Sequence, residues 1–182
     1  MFVDQLQRIV TASLMAALIA VGAYLAIPIG PVPIVLQNLF VLLAALLLGG
    51  RWGLAAVGIY LLVGAIGLPV FSGGKGGLAH FMGPTGGYLV GFAVCAYVTG
   101  SLTERGSGRT AADIAAVVVG SLLVYACGIP WLKAVTGMPW QKAFMVGMVP
   151  FLIGDLLKAA AAILLARSLR PLINRLGQTV TA

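Results

Sequence analysis

The sequence predicts an all-α integral membrane protein: one domain over residues 1–182, a bundle of six transmembrane helices with both termini in the cytoplasm. Three observations lead there. Charged residues make up 8% of the chain and hydrophobic ones 61%, whereas a soluble domain carries about 25% charged residues. The apolar residues come in long blocks, and a helix crossing the hydrocarbon core needs about 20 of them. The remaining charges are asymmetric. Six spans put Arg8, Arg51, Arg105, Arg109, Arg167, Arg170 and Arg175 on one side and Lys75, Lys133 and Lys142 on the other. Basic residues gather in cytoplasmic loops. The net charge of +7 therefore reads as membrane topology, and nucleic acid is not an expected partner.

The first apolar block, residues 9–27, is helix 1. It is longer than the apolar core of a signal peptide and five more spans follow, so it is expected to be retained. Pro28, Pro31 and Pro33 force an extended connection, because proline fixes φ and removes a donor. Helix 2 covers 35–48, Gly49, Gly50 and Arg51 form a tight turn, and helix 3 covers 52–66. A glycine-rich loop fills 68–82, followed by helix 4 over 84–102. Residues 103–111 are the most polar stretch and belong in water or headgroups. Helix 5 covers 112–127, a loop or broken segment takes 128–148, and helix 6 covers 150–169. Helices 2 and 5 are short for a full span and are expected to tilt or to extend into their flanks. Cys95 and Cys127 lie in apolar blocks without metal or redox spacing and read as small buried residues.

Asp155 and Lys158 carry the strongest chemical signal. Both lie in the apolar run of helix 6, where a charge costs at least about 2.5–3.5 kcal/mol. Spacing i, i+3 lets them pair on one face. They are either a structural ion pair or a ligand site one to two turns below the outer surface. A ligand's carboxylate, amide or ureido groups would complete their hydrogen bonding in a dry pocket.

The segment 71–88 is the second signal. It lacks the Lys-Ser/Thr ending of a phosphate loop, and its glycines allow close approach of backbone to a ligand. Gly86, Gly87 and Gly91 give helix 4 a smooth face for packing, while Thr85 and Tyr88 offer hydroxyls to a pocket. Gln37 and Asn38 open helix 2 and either cap it or face a ligand. Trp131 and Trp140 suit interface anchors. His80 stands alone, so no metal site is expected. No nucleophile–base pair is visible and no cofactor is implied, so enzyme chemistry has no apparatus here. Ala12, Ala16 and Ala20 form a small-residue stripe on helix 1, suited to internal packing or to a membrane partner.

Read together, five segments resemble the BioY family: Pro31-Val-Pro-Ile-Val-Leu-Gln37, Leu46-Leu-Leu-Gly49, Gly67-Leu-Pro-Val-Phe71, Gly83-Pro-Thr-Gly-Gly-Tyr-Leu-Val-Gly-Phe92, and Pro150-Phe-Leu-Ile-Gly-Asp155 with Lys158 after it. Their order and spacing hold from about residue 10 to 170. Val35 and Asn38 depart from the pattern, which usually or often has threonine there.

The resemblance implies a biotin-specific substrate-binding subunit (S component) of an energy-coupling-factor (ECF) transporter, a multi-pass protein of the cytoplasmic membrane. It implies a six-helix fold with biotin near the external face. Asp155 and Lys158 would hold biotin, either one serving the ureido ring or the carboxylate. Phe71, Tyr88 and Trp131 would enclose the bicyclic ring. Ala12, Ala16 and Ala20 would dock on a transmembrane coupling subunit, and separate ATPase subunits would supply energy. The alternatives are an S component for another small vitamin, or a structural membrane protein locked by an Asp–Lys pair.

Overall fold

The longest apolar blocks become the helices. A computed structural model describes the backbone of residues 2–28, 30–106 and 109–180, and within them the side chains from 5 to 171; the expected inner-face Arg175 lies outside the described side chains. Helix α1 is Phe2–Tyr24. Strands β1 (Ala26–Ile27) and β2 (Ile34–Val35) pair antiparallel, Ala26 opposite Val35 and Ile27 opposite Ile34. The prolines lie outside the two strands of this ribbon: Pro28 follows β1, Pro31 sits in a bend and Pro33 precedes β2. Helix α2 follows at Gln37–Ala65, then a 3-10 turn at Leu78–Met82, α3 at Gly86–Arg105, α4 at Thr110–Thr136, α5 at Trp140–Gly147, a 3-10 turn at Val149–Phe151 and α6 at Leu152–Val180.

Among the described residues five segments are long and apolar enough to cross a membrane: most of α1, then α2, α3, α4, and Trp140–Pro171 with most of α6. Their outward faces are apolar too. Ile153, Leu156 and Leu157 of α6 are 78%, 71% and 66% exposed. Water would not tolerate such surfaces in this number, but lipid tails match them.

The expected helices 2 and 3 are two arms of α2. Gly49 (φ 79°, ψ −177°) interrupts the helical backbone between them, a conformation that costs glycine little. A Cβ on Gly53 would lie 3.0 Å from the Cα of Ala45. In a straight helix eight residues advance about 12 Å, so the chain turns back on itself at Gly49. Ala44 of the first arm and Ala56 of the second share one buried cluster with Ala12 and Met15 of α1.

Two boundaries are corrected. Of the two readings of residues 128–148, a loop or a broken segment, the structure has the broken helical segment: α4 continues past the expected end of helix 5 at 127, through Pro130 to Thr136, and α5 fills most of the rest. Pro130 removes one backbone donor, but Ile129 and Leu132 are buried at 3% and 0% exposure, and unwinding this stretch would strand several polar groups among apolar surroundings. The helix ends at Gly137 (φ 69°), whose N–H bonds the Lys133 carbonyl at 2.9 Å, a left-handed cap. Helix 1 also begins and ends earlier than expected, since Leu25 to Pro28 belong to the ribbon approach.

Helix α2 packs against α1, α3 and α6, and α3 packs against α4. The α3–α4 contact is close because α3 presents glycines: a Cβ on Gly91 would lie 3.0 Å from the Val124 Cα, and one on Gly87 2.7 Å from the Cys127 carbonyl. The glycine face expected for packing is used for packing.

Candidate functional site

The N-terminal turns of three helices converge on one recess of about 550 Å³, counting its open mouth. Helix α2 contributes Gln37 and Asn38, α3 contributes Tyr88, Leu89 and Phe92, and α6 contributes Asp155 and Lys158. Val124 and Tyr125 come from α4, and Val32, Pro33 and Val35 from the ribbon. Ser72, His80, Thr85 and Phe151 complete the lining. The walls are mostly apolar and the charged groups meet at one place.

That place is Asp155. Lys158 donates to Oδ1 at 2.9 Å, and Asn38 Nδ2 donates to the same oxygen at 3.3 Å. The Tyr125 hydroxyl donates to Oδ2. Three elements therefore meet on one carboxylate, which in a dry wall needs such donors to remain charged. The Lys158 and Asp155 side chains are 10% and 14% exposed. Lys158 uses one N–H here and has two more to offer.

The remaining expected site residues separate into two groups. Tyr88, Thr85 and Gln37 line the recess with Asp155 and Lys158. The Tyr88 hydroxyl donates to the Gly147 carbonyl at 2.8 Å, tying α3 to the end of α5, so its ring rather than its hydroxyl faces the recess. Thr85 Oγ1 lies 3.2 Å from His80 Nε2. Gln37 and Asn38 make no capping bond to α2; Gln37 Nε2, Asn38 Oδ1 and the Tyr60 hydroxyl are buried without a partner among the described residues.

Phe71 and Trp131 stand outside the lining. Phe71 is fully buried behind it, edge-on to Tyr60 and Phe81 and stacked on His80 at 4.9 Å. It supports the wall. Trp131 donates its indole N–H to the Gly83 carbonyl at 2.9 Å and fastens the start of α3 to α4. The stripe on α1 faces inward: Ala12 and Ala16 are 0% and 5% exposed against α2, and Ala20 packs against the same core.

Sequence reasoning missed Tyr125 and gave His80 and Ser72 no part. Helical spacing carried a usable signal for others: Phe151 is four residues before Asp155, and Leu89 and Phe92 are four and seven after Thr85, so they share its face. No spacing relates Tyr125 to Asp155, thirty residues away.

The family model of the BioY family matches residues 3–175. The chain belongs to the BioY family. Relatives include the probable biotin transporter BioY of Pyrococcus horikoshii, 41% identical over 158 residues that cover 87% of this chain and 93% of that one. The biotin transporter BioY of Thermotoga maritima is 44% identical over 92% of this chain and 98% of its own. That of Rhizobium etli is 45% identical over 88% and 90%. Among solved structures, the crystal structure of the S-component for biotin from an ECF-type ABC transporter superposes with a TM-score of 0.85 at 32% identity, over 92% of this chain and 93% of that one. This chain is thus an all-helical, multi-pass membrane protein with an S-component fold.

Proposed function

We propose that this BioY-family protein binds biotin in the recess beside Asp155 and supports its uptake across the cytoplasmic membrane as the substrate-specific subunit of an ECF-type transporter. The observation that carries this reading is the Asp155–Lys158 pair opening onto an apolar recess. Biotin needs both parts: an apolar wall for its fused rings and chain, and charged partners for a ureido group and a carboxylate. Three helix N-termini at the recess add positive potential there, which suits an anion. Relatives above 40% identity named biotin transporters support the choice of vitamin.

In this reading the two arms of α2 are separate spans, making six, and both termini are cytoplasmic. The reversal at Gly49 and the arginine asymmetry support that topology. The recess and the ribbon then face outward, where biotin arrives. Uptake would require a transmembrane coupling subunit and ATPase subunits. With Ala12 and Ala16 covered by α2, the face of α1 open to such a subunit carries Val10, Ser13, Leu14, Ala17 and Val21.

Equilibrium binding of labelled biotin to the purified chain in detergent, with other vitamins as competitors, tests the reading. Tight, saturable, biotin-selective binding is expected. A folded protein that ignores biotin would sink it.

A further inference from the structure

The recess has a second polar station, apart from the Asp155 cluster. Ser72, His80 and Thr85 line it, and all three are half-buried. Thr85 Oγ1 lies 3.2 Å from His80 Nε2, and Phe71 stacks on the imidazole at 4.9 Å. Ser72 Oγ and His80 Nδ1 have no hydrogen-bond partner among the described residues, and neither belongs to the unpartnered polar atoms that are sealed from solvent.

The two stations lie at different levels. Phe92 borders the smaller void beside Asp155 and Asn38. Thr85 comes seven residues before it, about 10 Å along α3 at 1.5 Å per residue. Biotin's ureido and acid ends, held apart by the fused rings and a five-carbon chain, are spaced on the same scale.

Charge decides which end goes where. Lys158 and Asp155 oppose each other at 2.9 Å. That neutral pair suits a neutral urea, with an acceptor for its N–H groups and a donor for its carbonyl. At the other station Lys75 is the charge that acts on His80. Asp155 is the one acid on the lining; Glu104 ends α3 and Asp113 opens α4, at the opposite end of the bundle. Burial, and then Lys75, lowers the pKa of His80, so the imidazole of the empty recess is neutral at pH 7. A carboxylate within about 4–6 Å reverses that balance, because an opposite charge favours the charged form.

We infer that His80 is a specificity-determining residue for the acid end of the ligand: it takes up one proton from solvent as the carboxylate settles beside His80, Ser72 and Thr85. The inference rests on the biotin reading and deepens it. Binding is then proton-linked. Affinity rises as the pH falls through the liganded pKa of His80 and levels off below the unliganded one.

Other titratable groups surround the ring. Tyr24 bonds the Pro69 carbonyl, Tyr60 lies behind Phe71, Tyr88 bonds the Gly147 carbonyl, and Tyr125 serves the Asp155–Lys158 pair. An analogue that keeps the rings and loses only the acid controls for all of them.

Biotin and biotinamide, whose carboxylate is replaced by a carboxamide, are titrated calorimetrically against the full chain in detergent from pH 8 to about pH 5.5. Buffers of different ionisation heat report the protons taken up. Biotin should take up as much as one proton, and its affinity should rise by up to about tenfold per pH unit within the window. Biotinamide should take up none and keep a flat profile. In His80→Gln, biotin should lose both the uptake and the slope. A merely structural role would weaken both ligands alike and leave the slope in place.

Equal profiles for the two ligands, or a biotin profile that survives His80→Gln, overturn the inference. If the parent chain binds biotin at no pH, the functional reading itself has failed, and that result is distinct. His80→Asn, read the same way, and the comparison of the two ligands on the parent chain keep the test decidable should His80→Gln not fold.

Discussion

Two buried ion pairs lie on α6, and they differ in what they leave open. Asp155–Lys158 is formed within one helix, three residues apart, on the wall of the recess. Asp113–Arg170 joins α4 to α6. The Arg170 guanidinium donates to both oxygens of Asp113 at 2.6 and 3.0 Å and to the Leu46 carbonyl at 3.0 Å. Asp113 is 1% exposed. This second pair ties α4, α6 and the first arm of α2 together near the bend at Gly49. Its fork-to-fork geometry uses both carboxylate oxygens at once, and neither residue lines the recess that Asp155 and Lys158 border. The first pair keeps spare donors on Lys158 and borders empty space. A charge pair that is complete is a fastening, and one with unfilled capacity beside a cavity is a candidate site.

Breaking the fastening should produce the largest effect on stability. Arg170→Met leaves Asp113 buried without its partner, a change that costs about 3–5 kcal/mol. The thermal unfolding midpoint in detergent should fall sharply. The double variant Asp113→Leu with Arg170→Met should recover much of the loss, since an apolar pair of similar volume replaces a buried ion pair at little net cost. A single variant as stable as the parent would mean the two pairs do not differ as argued.

Lys158→Ala probes the other pair and should do the opposite: biotin affinity falls by at least about a hundredfold, while the unfolding midpoint moves little because Asn38 and Tyr125 still serve Asp155. A variant that unfolds early but still binds biotin tightly would make Asp155–Lys158 a second fastening. Tyr125→Phe is a milder test. It removes one of three donors from Asp155 and should weaken biotin by about tenfold, measured by competition binding.

The smallest effect concerns the wall beside the site. Burial, and then the charge of Lys75, lowers the pKa of His80 from its ordinary value near 6.5. The folded protein therefore resists protonation that the unfolded chain accepts. The stability contributed is present above about pH 6.5 and is lost as the pH falls through the lower folded value. Unfolding midpoints measured from pH 8 downward should decline in that window, and His80→Asn should flatten the decline. An unchanged slope would remove His80 as its source.

Most of the helices were legible because a helix crossing lipid must be apolar along its length, and the arginine positions and the Asp155–Lys158 spacing are local features of the chain. The end of helix 5 was not legible at 127–136, because the local meaning of Pro130 is to break a helix, while its neighbours Ile129 and Leu132 stay packed in the core. Phe71 and Trp131 are aromatic residues near the right loops, but proximity in sequence does not say which side of a wall a ring occupies. Ala12 and Ala16 could face a neighbour inside or outside, and only the position of α2 decides.

The sequence by itself determined that this chain lives in a membrane, that it is helical, that a buried acid and lysine share one helical face, and which family it resembles. Each follows from composition or from spacings within one helix. The tertiary structure alone decided that Tyr125 and Asn38 meet Asp155, that Asp113 and Arg170 close a second pair across 57 positions, and that the chain reverses at Gly49 onto itself. Those contacts join segments far apart in the chain, and their partners are chosen by how whole helices pack rather than by any local pattern.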